Sequence, residues 1–294
     1  MKYFKQIIKL SATPATVFYP LPVIPFLIFS LAEQTNLLVF TKITMLSFLF
    51  FAAINLWNHV NDVEEDLLAG KDNIFAENKE LRKNTVFLCL FLYIFSFSLV
   101  FIWTLSFFGI LCFLPVAVLT WMYSDKLFFG KVFVRLKENY ITELVTYIFS
   151  YPLFTLVLWN LAAPTNLKAI MLSIMMLFFG LWGVFLKDIK DTTGDRLAGL
   201  NTLAVKFSPE TNLKASLFFL LVFYIVFIGG IFLDLFSRPS IVCLLSILSP
   251  LYVIVVSHRS KWTIDSYLIK PLSVLGVSNI FFFVLLSLIN LLKF

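Results

Sequence analysis

The sequence predicts an all-α integral membrane protein with nine transmembrane helices, from its composition and from the length of its apolar runs. The 294 residues are 60% hydrophobic, include 36 Phe and are only 14% charged, and the mean hydropathy is +0.94. A water-soluble domain of this size does not need so much apolar surface. The runs reach roughly 20 residues, enough to cross a bilayer as helices, and they lack the strict alternation of barrel strands.

Nine apolar runs give the predicted helices in chain order. Each run is expected to be helical because the backbone must satisfy its own hydrogen bonds in lipid. The first run carries Pro14, Pro20, Pro22 and Pro25 and has no small-residue cleavage site, so it is interpreted as a kinked helix and not as a cleaved signal. The approximate bounds are 14–33, 36–57, 84–106, 107–124, 140–162, 167–186, 213–235, 238–258 and 271–292.

The distribution of basic residues predicts the orientation in the membrane. With the N-terminus inside, the N-terminal segment and the loops after the second, fourth, sixth and eighth helices hold 19 of the 23 Lys and Arg residues. Cytoplasmic loops carry such an excess. The sequence therefore predicts a cytoplasmic N-terminus and a C-terminus on the opposite side. The basic loops account for the net charge of +6, so no nucleic-acid partner is inferred from it.

Two acidic segments on the predicted cytoplasmic side resemble each other. DVEEDLLAG (62–70) aligns without gaps with DTTGDRLAG (191–199), 129 residues further on. The same offset places the second predicted helix on the sixth and the third on the seventh. We interpret the chain as one membrane domain, 1–294, with two parallel four-helix repeats (about 1–125 and 130–258) and a ninth helix at about 271–292. In membrane proteins built from repeats, sites tend to lie where the repeats meet.

The spacing of polar residues in these segments predicts two stripes that hold a metal ion. Residues three or four apart share one helix face, and neighbouring carboxylates either protonate or hold cations. Hard oxygen ligands without His or Cys nearby favour Mg²⁺, which also takes phosphate oxygens. The first stripe is Asn58, Asp62 and Asp66, and the second is Asp188, Asp191 and Asp195. The five Asp residues are the predicted metal ligands.

Residues on the same side of the membrane complete a site for a diphosphate. Mg²⁺ and Lys together bind a diphosphate and stabilise its charge as it leaves, and the Phe-rich helices suit a long hydrocarbon. The predicted ligand is therefore a prenyl diphosphate. The candidate diphosphate-binding residues are Asn58, Tyr123, Lys126, Lys131 and Lys187. Four neighbouring residues receive a simpler interpretation, Arg135 and Lys137 as topology signals and Glu64 and Glu65 as surface charges.

These motifs resemble those of the UbiA superfamily of intramembrane prenyltransferases, and the resemblance covers essentially the whole chain. In that family, N-x-x-x-D-x-x-x-D follows the second helix, and D-x-x-D-x-x-x-D follows the sixth. The matching residues are Asn58, Asp62 and Asp66 for the first motif, Asp188, Asp191 and Asp195 for the second, and Gly199, Thr202 and Leu203 for the G-x-x-T-L after it.

The resemblance implies nine helices around a central cavity that opens to a cytoplasmic cap. It implies Mg²⁺-dependent transfer of a prenyl group from a prenyl diphosphate to an aromatic or lipophilic acceptor in the bilayer, as in quinone or lipid biosynthesis. Asp62, Asp66, Asp191 and Asp195 would then be catalytic. The sequence departs from the family where Thr13 replaces the Arg of an Arg-Pro pair, where N-x-P-x-R-P is missing, and in the spacing of Tyr123 and Lys126. These departures affect the acceptor more than the diphosphate.

Two other functions stay open on the sequence. A membrane terpene cyclase would share the fold and the diphosphate site but would need no acceptor. A transporter is less favoured, because its ions usually bind near the midplane and no interrupted helix is evident beyond the Pro-rich first one. Glu143, near the start of the fifth helix, is interpreted as hydrogen-bonding near the interface, with removal of the acceptor's proton as the alternative.

Overall fold

A computed structural model describes residues 2–12, 23–187, 189, 192–264 and 266–292 of the chain. Within these ranges the fold is helical, apart from loops and one isolated bridge between Asn139 and Asn201. Among the described residues, 3₁₀ segments at Phe129–Lys131, Leu136–Glu138 and Arg238–Ile247 interrupt or join the helices. The α-helices are α1 (Lys2–Ser11), α2 (Val23–Leu31), α3 (Leu37–Asn61), α4 (Val63–Leu68), α5 (Ile74–Glu77), α6 (Lys79–Trp103), α7 (Phe107–Ser124), α8 (Tyr140–Asn160), α9 (Leu167–Lys187), α10 (Thr192–Leu197), α11 (Leu203–Lys206), α12 (Pro209–Phe232), α13 (Leu248–Arg259) and α14 (Ser266–Leu291).

Eight described helices are long and apolar enough to cross a membrane, so the chain is a multi-pass integral membrane protein. They are α3, α6, α7, α8, α9, α12, α14 and the span Arg238–Arg259, which includes α13. Each corresponds to one of the last eight predicted helices. Of the first predicted helix, α2 is described, whereas 14–22 lies outside the described residues. That ninth span therefore stays a prediction.

Three membrane helices begin before the apolar runs that predicted them, namely α14 at Ser266 and also α6 and α12, which each follow a polar cap. The α6 helix begins at Lys79 because the Asn78 side chain caps it, with Oδ1 accepting a hydrogen bond of 2.9 Å from the Leu81 amide. At the start of α12, Ser208 Oγ accepts a hydrogen bond of 3.1 Å from the Thr211 amide. Such caps satisfy amides that a helix start leaves unpaired. Both helices therefore extend beyond the apolar residues into charged sequence.

The eighth predicted helix is α-helical only in its second half, because Arg238–Ile247 is a 3₁₀ segment. Pro250 has no N–H to donate to the Ser246 carbonyl, as an α-helix would require. That carbonyl instead accepts hydrogen bonds from the hydroxyls of Ser249 (2.9 Å) and Ser278 (3.2 Å). The expectation that no helix beyond the first would be interrupted is therefore wrong.

The membrane helices form a ring. Consecutive helices pack against each other, and α14 returns to pack against α2, which in turn contacts α3. The two halves of the ring differ inside. Between α9, α12 and α14, aromatic rings fill the space, with the centroids of Phe223 and Phe282 5.1 Å apart and those of Phe179 and Phe283 also 5.1 Å apart. Between α3, α7, α8 and α9 lies a cavity.

Candidate active site

The first predicted stripe stands at the junction of α3 and α4. The helical hydrogen-bond pattern continues across this junction, since the Asp62 amide donates to the Asn58 carbonyl and the Asp66 amide donates to the Asp62 carbonyl, both at 2.9 Å. The three side chains therefore share one face, as their spacing predicts. All three line a polar cavity of about 350 Å³.

The second predicted stripe reaches the same cavity through Asp195, which lies in α10 and lines the cavity wall. Asp188 and Asp191 lie outside the described residues, as does Lys190. The structure therefore places one of the three predicted residues of this stripe and leaves the other two as predictions.

The two acidic segments have equivalent backbones at the offset of 129 residues. The Lys71 amide donates to the Asp66 carbonyl at 2.8 Å, and the Leu200 amide donates to the Asp195 carbonyl at 3.0 Å. Gly70 and Gly199 end the two short helices with φ of 69° and 71°. This left-handed conformation is one that glycine adopts without strain.

In each segment, the last aspartate also accepts a hydrogen bond from a side chain at an equivalent position. Asn73 Nδ2 donates to Asp66 Oδ2 at 2.8 Å, and Thr202 Oγ1 donates to Asp195 Oδ2 at 2.7 Å. Asn73 and Thr202 are themselves 129 residues apart and precede the short helices α5 and α11. Neither pairing was predicted from the sequence, although the gapless alignment could have pointed to both.

The two acidic segments touch where their side chains are smallest. A Cβ atom added to Gly194 would lie 2.9 Å from Ala69 Cβ, too close for an ordinary contact. Gly194 in α10 therefore lets the second segment approach the end of α4. This approach brings Asp66 and Asp195 to the lining of one cavity.

A buried arginine links the first segment to the loop between α7 and α8. The Arg135 guanidinium is 2% exposed and lies 2.5 Å from Glu65 Oε1 through Nη2, 2.5 Å from Glu138 Oε1 through Nε and 3.6 Å from Asp62 Oδ1 through Nη1. Lys137 Nζ donates to Asp62 Oδ1 and lines the cavity. The interpretation of Arg135 and Lys137 as topology signals alone is wrong, because both also contact the first acidic segment.

The interpretation of Glu65 as a surface charge is also wrong. Its side chain is only 13% exposed, whereas that of Glu64 is 79% exposed as expected. Burial alone would raise the pKa of Glu65, but hydrogen bonds from Arg135 and Lys126 outweigh it and hold the pKa at about 2. Glu65 is therefore ionised throughout the physiological range and anchors both basic side chains.

Two predicted diphosphate-binding lysines lie away from the cavity. Lys126 Nζ is 2.8 Å from Glu64 and 2.9 Å from Glu65, and Lys131 is exposed and lines neither described cavity. The buried Asp125 carboxylate explains this course of the chain, since it accepts hydrogen bonds from the amides of residues 127, 128 and 129 and so turns the loop over. The side chain that does enter the cavity from this loop is Lys137.

Three other polar residues form a chain of hydrogen bonds along the cavity wall. The Tyr123 hydroxyl donates to Glu143 Oε1 at 2.8 Å, and Lys187 Nζ donates to the same hydroxyl at 3.3 Å. Glu143 is 2% exposed. The structure thus brings the predicted residues Tyr123 and Lys187 to the cavity. It also shows that the Glu143 carboxylate, in the first turn of α8, is buried in the protein and hydrogen-bonded to Tyr123.

The polar cavity adjoins a second, mainly apolar cavity of about 410 Å³ between α3, α7, α8 and α9. The shared lining residues are Asn58, Tyr123 and Lys187. Phe50 and Phe154 stack on each other in the wall of the second cavity, with ring centroids 5.1 Å apart. The polar lining residues of the first cavity, in the part of the chain that the structure describes, are Asn58, Asp62, Glu65, Asp66, Lys71, Tyr123, Lys137, Glu143, Lys187, Asp195 and Thr202.

The donor atoms of the polar cavity determine which cation fits it. Its described lining contains neither His nor Cys, so carboxylate, amide and hydroxyl oxygens are the available ligands, a set that suits Mg²⁺. Among the described residues, no three His, Cys, Asp or Glu side chains form a closed metal centre. An all-protein cage is not needed, because Mg²⁺ usually takes one or two carboxylates together with water and phosphate oxygens.

Asn58 adds an unsatisfied polar atom at the junction of the two cavities. Its Oδ1 is buried and accepts no hydrogen bond from any residue in the described ranges. A buried carbonyl oxygen without a partner is costly. The atom is therefore available to a ligand that enters the cavity.

The ring of membrane helices and the joined polar and apolar cavities define a helical membrane protein with an acid-lined site inside its membrane domain. The chain belongs to the UbiA prenyltransferase family, whose model matches residues 19–290. The resemblance drawn from the two acidic motifs is thereby confirmed.

Known proteins match this chain over nearly its full length, one in sequence and two in fold. An uncharacterized protein of Archaeoglobus fulgidus is 35% identical over 283 residues, which is 95% of this chain and 96% of that protein. The solved structure of a digeranylgeranylglyceryl phosphate synthase in membranes has a TM-score of 0.71 at 15% identity over 99% of each chain. That of a UbiA homolog from Archaeoglobus fulgidus, bound to DMAPP and Mg²⁺, has a TM-score of 0.67 at 16% identity over 99% of each chain.

Proposed function

We propose that the protein is a Mg²⁺-dependent prenyltransferase. It transfers the prenyl group of a prenyl diphosphate to an aromatic or lipophilic acceptor in the bilayer and releases diphosphate. The observation that carries this proposal is the joined pair of cavities, one acidic and one apolar, which meet at Asn58, Tyr123 and Lys187. An amphipathic ligand with a charged head and a hydrocarbon tail matches both cavities at once.

The acidic residues of the polar cavity are the proposed Mg²⁺ ligands. They are Asp62, Asp66 and Asp195, together with Asp188 and Asp191 on the strength of the sequence motif. The buried Asn58 Oδ1 supplies a further oxygen. Bound Mg²⁺ neutralises negative charge on a departing diphosphate. A solved homologue that binds DMAPP and Mg²⁺ supports this assignment.

The basic residues of the polar cavity are proposed to hold the diphosphate oxygens. Lys187 and Tyr123 stand at the boundary with the apolar cavity, where the bond between the allylic carbon and the diphosphate would break. Lys137 takes the role that the sequence assigned to Lys131, because it reaches the cavity and contacts Asp62. Lys126 acts indirectly by holding Glu64 and Glu65.

The apolar cavity is proposed to receive the prenyl chain and to keep water from the reacting carbon. The allylic carbon–oxygen bond breaks, the acceptor's nucleophilic atom bonds to the same carbon, and the proton of the acceptor passes to a base or to water. The rings of Tyr147 and Tyr151 are stacked with centroids 5.6 Å apart in the cavity wall. Aromatic faces of this kind stabilise positive charge that develops on the allylic carbon.

The proposal includes the orientation and the repeats predicted from the sequence. The acidic cavity and the N-terminus are assigned to the cytoplasmic side by the excess of basic residues in the loops there, with the C-terminus opposite. The halves 1–125 and 130–258 are proposed to be parallel repeats, with α14 as the added helix. The equivalent hydrogen bonds of Asp66 with Asn73 and of Asp195 with Thr202 support this internal symmetry.

The proposed function is tested by incubating the purified protein with Mg²⁺, labelled prenyl diphosphates and a panel of lipophilic acceptors, and identifying the products by mass. We expect prenylated acceptor and free diphosphate, both lost when Mg²⁺ is chelated. The double variant Asp62→Asn, Asp195→Asn is expected to abolish turnover. Asp234→Asn, an exposed change at the other end of the helices, is the control and should not affect turnover.

Two outcomes contradict the proposal in different ways. A hydrocarbon product that forms without any acceptor would identify a cyclase. Undiminished turnover by the Asp62→Asn, Asp195→Asn variant would rule out the acidic cavity as the site of reaction.

A further inference from the structure

The apolar cavity contains hydroxyl groups that the reaction proposed above does not use. Ser150 in α8 and Ser47 in α3 both line the cavity, and the buried Oγ atom of each has no hydrogen-bond partner among the described residues. Ser150 is 9% exposed and Ser47 is fully buried. Helix serines commonly bond to a carbonyl of the preceding turn, and other hydroxyls in this wall do so, as Thr155 Oγ1 does to the Tyr151 carbonyl at 2.8 Å.

The position of Ser150 along the cavity follows from the helix geometry. The α3 and α8 helices run in opposite directions, because Asn58 near the end of α3 and Glu143 near the start of α8 both line the polar cavity. The Phe50–Phe154 ring pair places those two residues at one level. With a rise of about 1.5 Å per residue, Ser150 lies about 6 Å and Asn58 about 12 Å from that level toward the polar cavity. Ser150 is therefore about one helical turn deeper than Asn58.

The wall of the apolar cavity contains almost no charged side chains. Among the described residues that line the apolar cavity, Lys187 is the single charged side chain, and it lies at the shared end. The segment 13–22, outside the described residues, contains no Lys or Arg. A carboxylate or phosphate placed at the depth of Ser150 would be a buried charge away from the shared end where Lys187 lies, and burying a charge that is not directly paired is strongly disfavoured.

Resting on the proposed function, we infer that the acceptor is an uncharged lipophile with a hydroxyl or carbonyl oxygen, and that Ser150 binds this oxygen beside the reacting carbon. Ser150 is thus a specificity-determining residue that favours neutral over anionic acceptors. Ser47, deeper in the cavity, extends the uncharged polar lining toward the other end. The acceptor's oxygen completes the hydrogen bonding of Ser150, whose hydroxyl otherwise stays buried and unpaired.

The inference is tested with acceptor pairs that differ in one charge. The probes are 4-hydroxybenzoate with its methyl ester, and a glycerol monoether with its phosphate. Equilibrium binding of each probe to the purified protein is measured first, followed by KM and kcat with Mg²⁺ and a prenyl diphosphate. We expect the neutral member of each pair to bind at least tenfold more tightly.

Three serine variants separate recognition from stability. Ser150→Ala is expected to weaken binding of the neutral probe and raise its KM by roughly 3- to 10-fold, the loss of one hydrogen bond, without changing the KM of the prenyl diphosphate. Ser150→Thr keeps the hydroxyl and is expected to retain the binding. Ser96→Ala is the matched control, because Ser96 Oγ is equally buried and unpaired in the described structure but lines neither cavity.

Preferred binding of the charged probes would overturn the inference, as would equal losses in Ser150→Ala and Ser96→Ala. The binding measurement keeps this result separate from the proposed function. A protein that binds the neutral probes through Ser150 but never consumes a prenyl diphosphate would contradict the prenyltransferase proposal and still show that Ser150 binds a neutral lipophile.

Discussion

At the scale of single residues, two lysines of the loop between α7 and α8 differ in their contacts and exposure. Lys137 contacts Asp62 and lines the acidic cavity, whereas Lys131 is exposed. Lys137→Met is expected to raise the KM for prenyl diphosphate by about 10- to 100-fold, the loss of one charge-assisted hydrogen bond, while Lys131→Met is expected to leave it near the parental value. The KM of both variants is measured by steady-state kinetics. A larger increase in KM for Lys131→Met than for Lys137→Met would contradict the assignment of Lys137 to the diphosphate.

The sequence could not distinguish these two lysines. Both lie in one basic loop, and their positions depend on contacts with residues far away in the chain. Asp125 turns the loop through three backbone amides, and the buried Arg135 then joins it to Glu65 in α4, 70 residues earlier in the chain. Asn58, Asp62 and Asp66 were predictable because their spacing alone places them on one helix face.

At the scale of secondary-structure elements, the contact between α4 and α10 sets the distance between the acidic segments. Gly194→Ala would place a Cβ 2.9 Å from Ala69 Cβ and push the segments apart. Because displacing the groups that position the substrate slows the reaction, kcat/KM for the prenyl diphosphate is expected to fall by roughly 10- to 100-fold. The exchange variant Gly194→Ala, Ala69→Gly restores the space and is expected to recover most of the loss.

The control for this exchange is Gly183→Ala in α9, where an added Cβ meets no atom within 4 Å. Equal activity of the single variant Gly194→Ala and the parent would show that the segments need not touch for catalysis.

A second glycine determines the width of the apolar cavity. A Cβ on Gly180 would lie 2.7 Å from Tyr151 Cγ, and Tyr151 lines the cavity. Gly180→Ala is therefore expected to push the tyrosine ring into the cavity and to lower turnover of geranylgeranyl diphosphate more than that of geranyl diphosphate. Product analysis with both donors measures this ratio, and Gly183→Ala is again the control. An unchanged ratio in Gly180→Ala would show that the position of Tyr151 does not determine which prenyl chain length is preferred.

The sequence predicted which segments form membrane helices more accurately than it predicted where those helices begin. Eight apolar runs correspond to eight membrane spans, because hydrocarbon requires both apolar side chains and a helical backbone. The starts of α6 and α12 were placed too late, since polar caps at Asn78 and Ser208 lie outside any apolar pattern. The 3₁₀ segment before α13 depends on Pro250 together with hydroxyls from two helices, and one of these comes from α14.

At the scale of the whole molecule, the ring brings together residues from distant parts of the chain. The gapless match of two nine-residue segments predicted that they are equivalent, and their shared hydrogen bonds extend this equivalence to Asn73 and Thr202. The asymmetry between the halves was not predictable. Phe-rich sequence fills one half of the ring and leaves a cavity in the other, and this difference depends on side-chain packing across helices that composition does not specify.

The central claim is that both acidic segments hold one Mg²⁺–diphosphate ligand, and a double-mutant cycle on Asp66 and Asp195 tests it most directly. The affinity of an unreactive thio-diphosphate analogue of the prenyl donor is measured with Mg²⁺ for the parent, Asp66→Asn, Asp195→Asn and the double variant. If the two carboxylates share the ligand, the account predicts a coupling energy of about 0.5–3 kcal/mol. Effects that simply add, or binding that neither substitution changes, would contradict it.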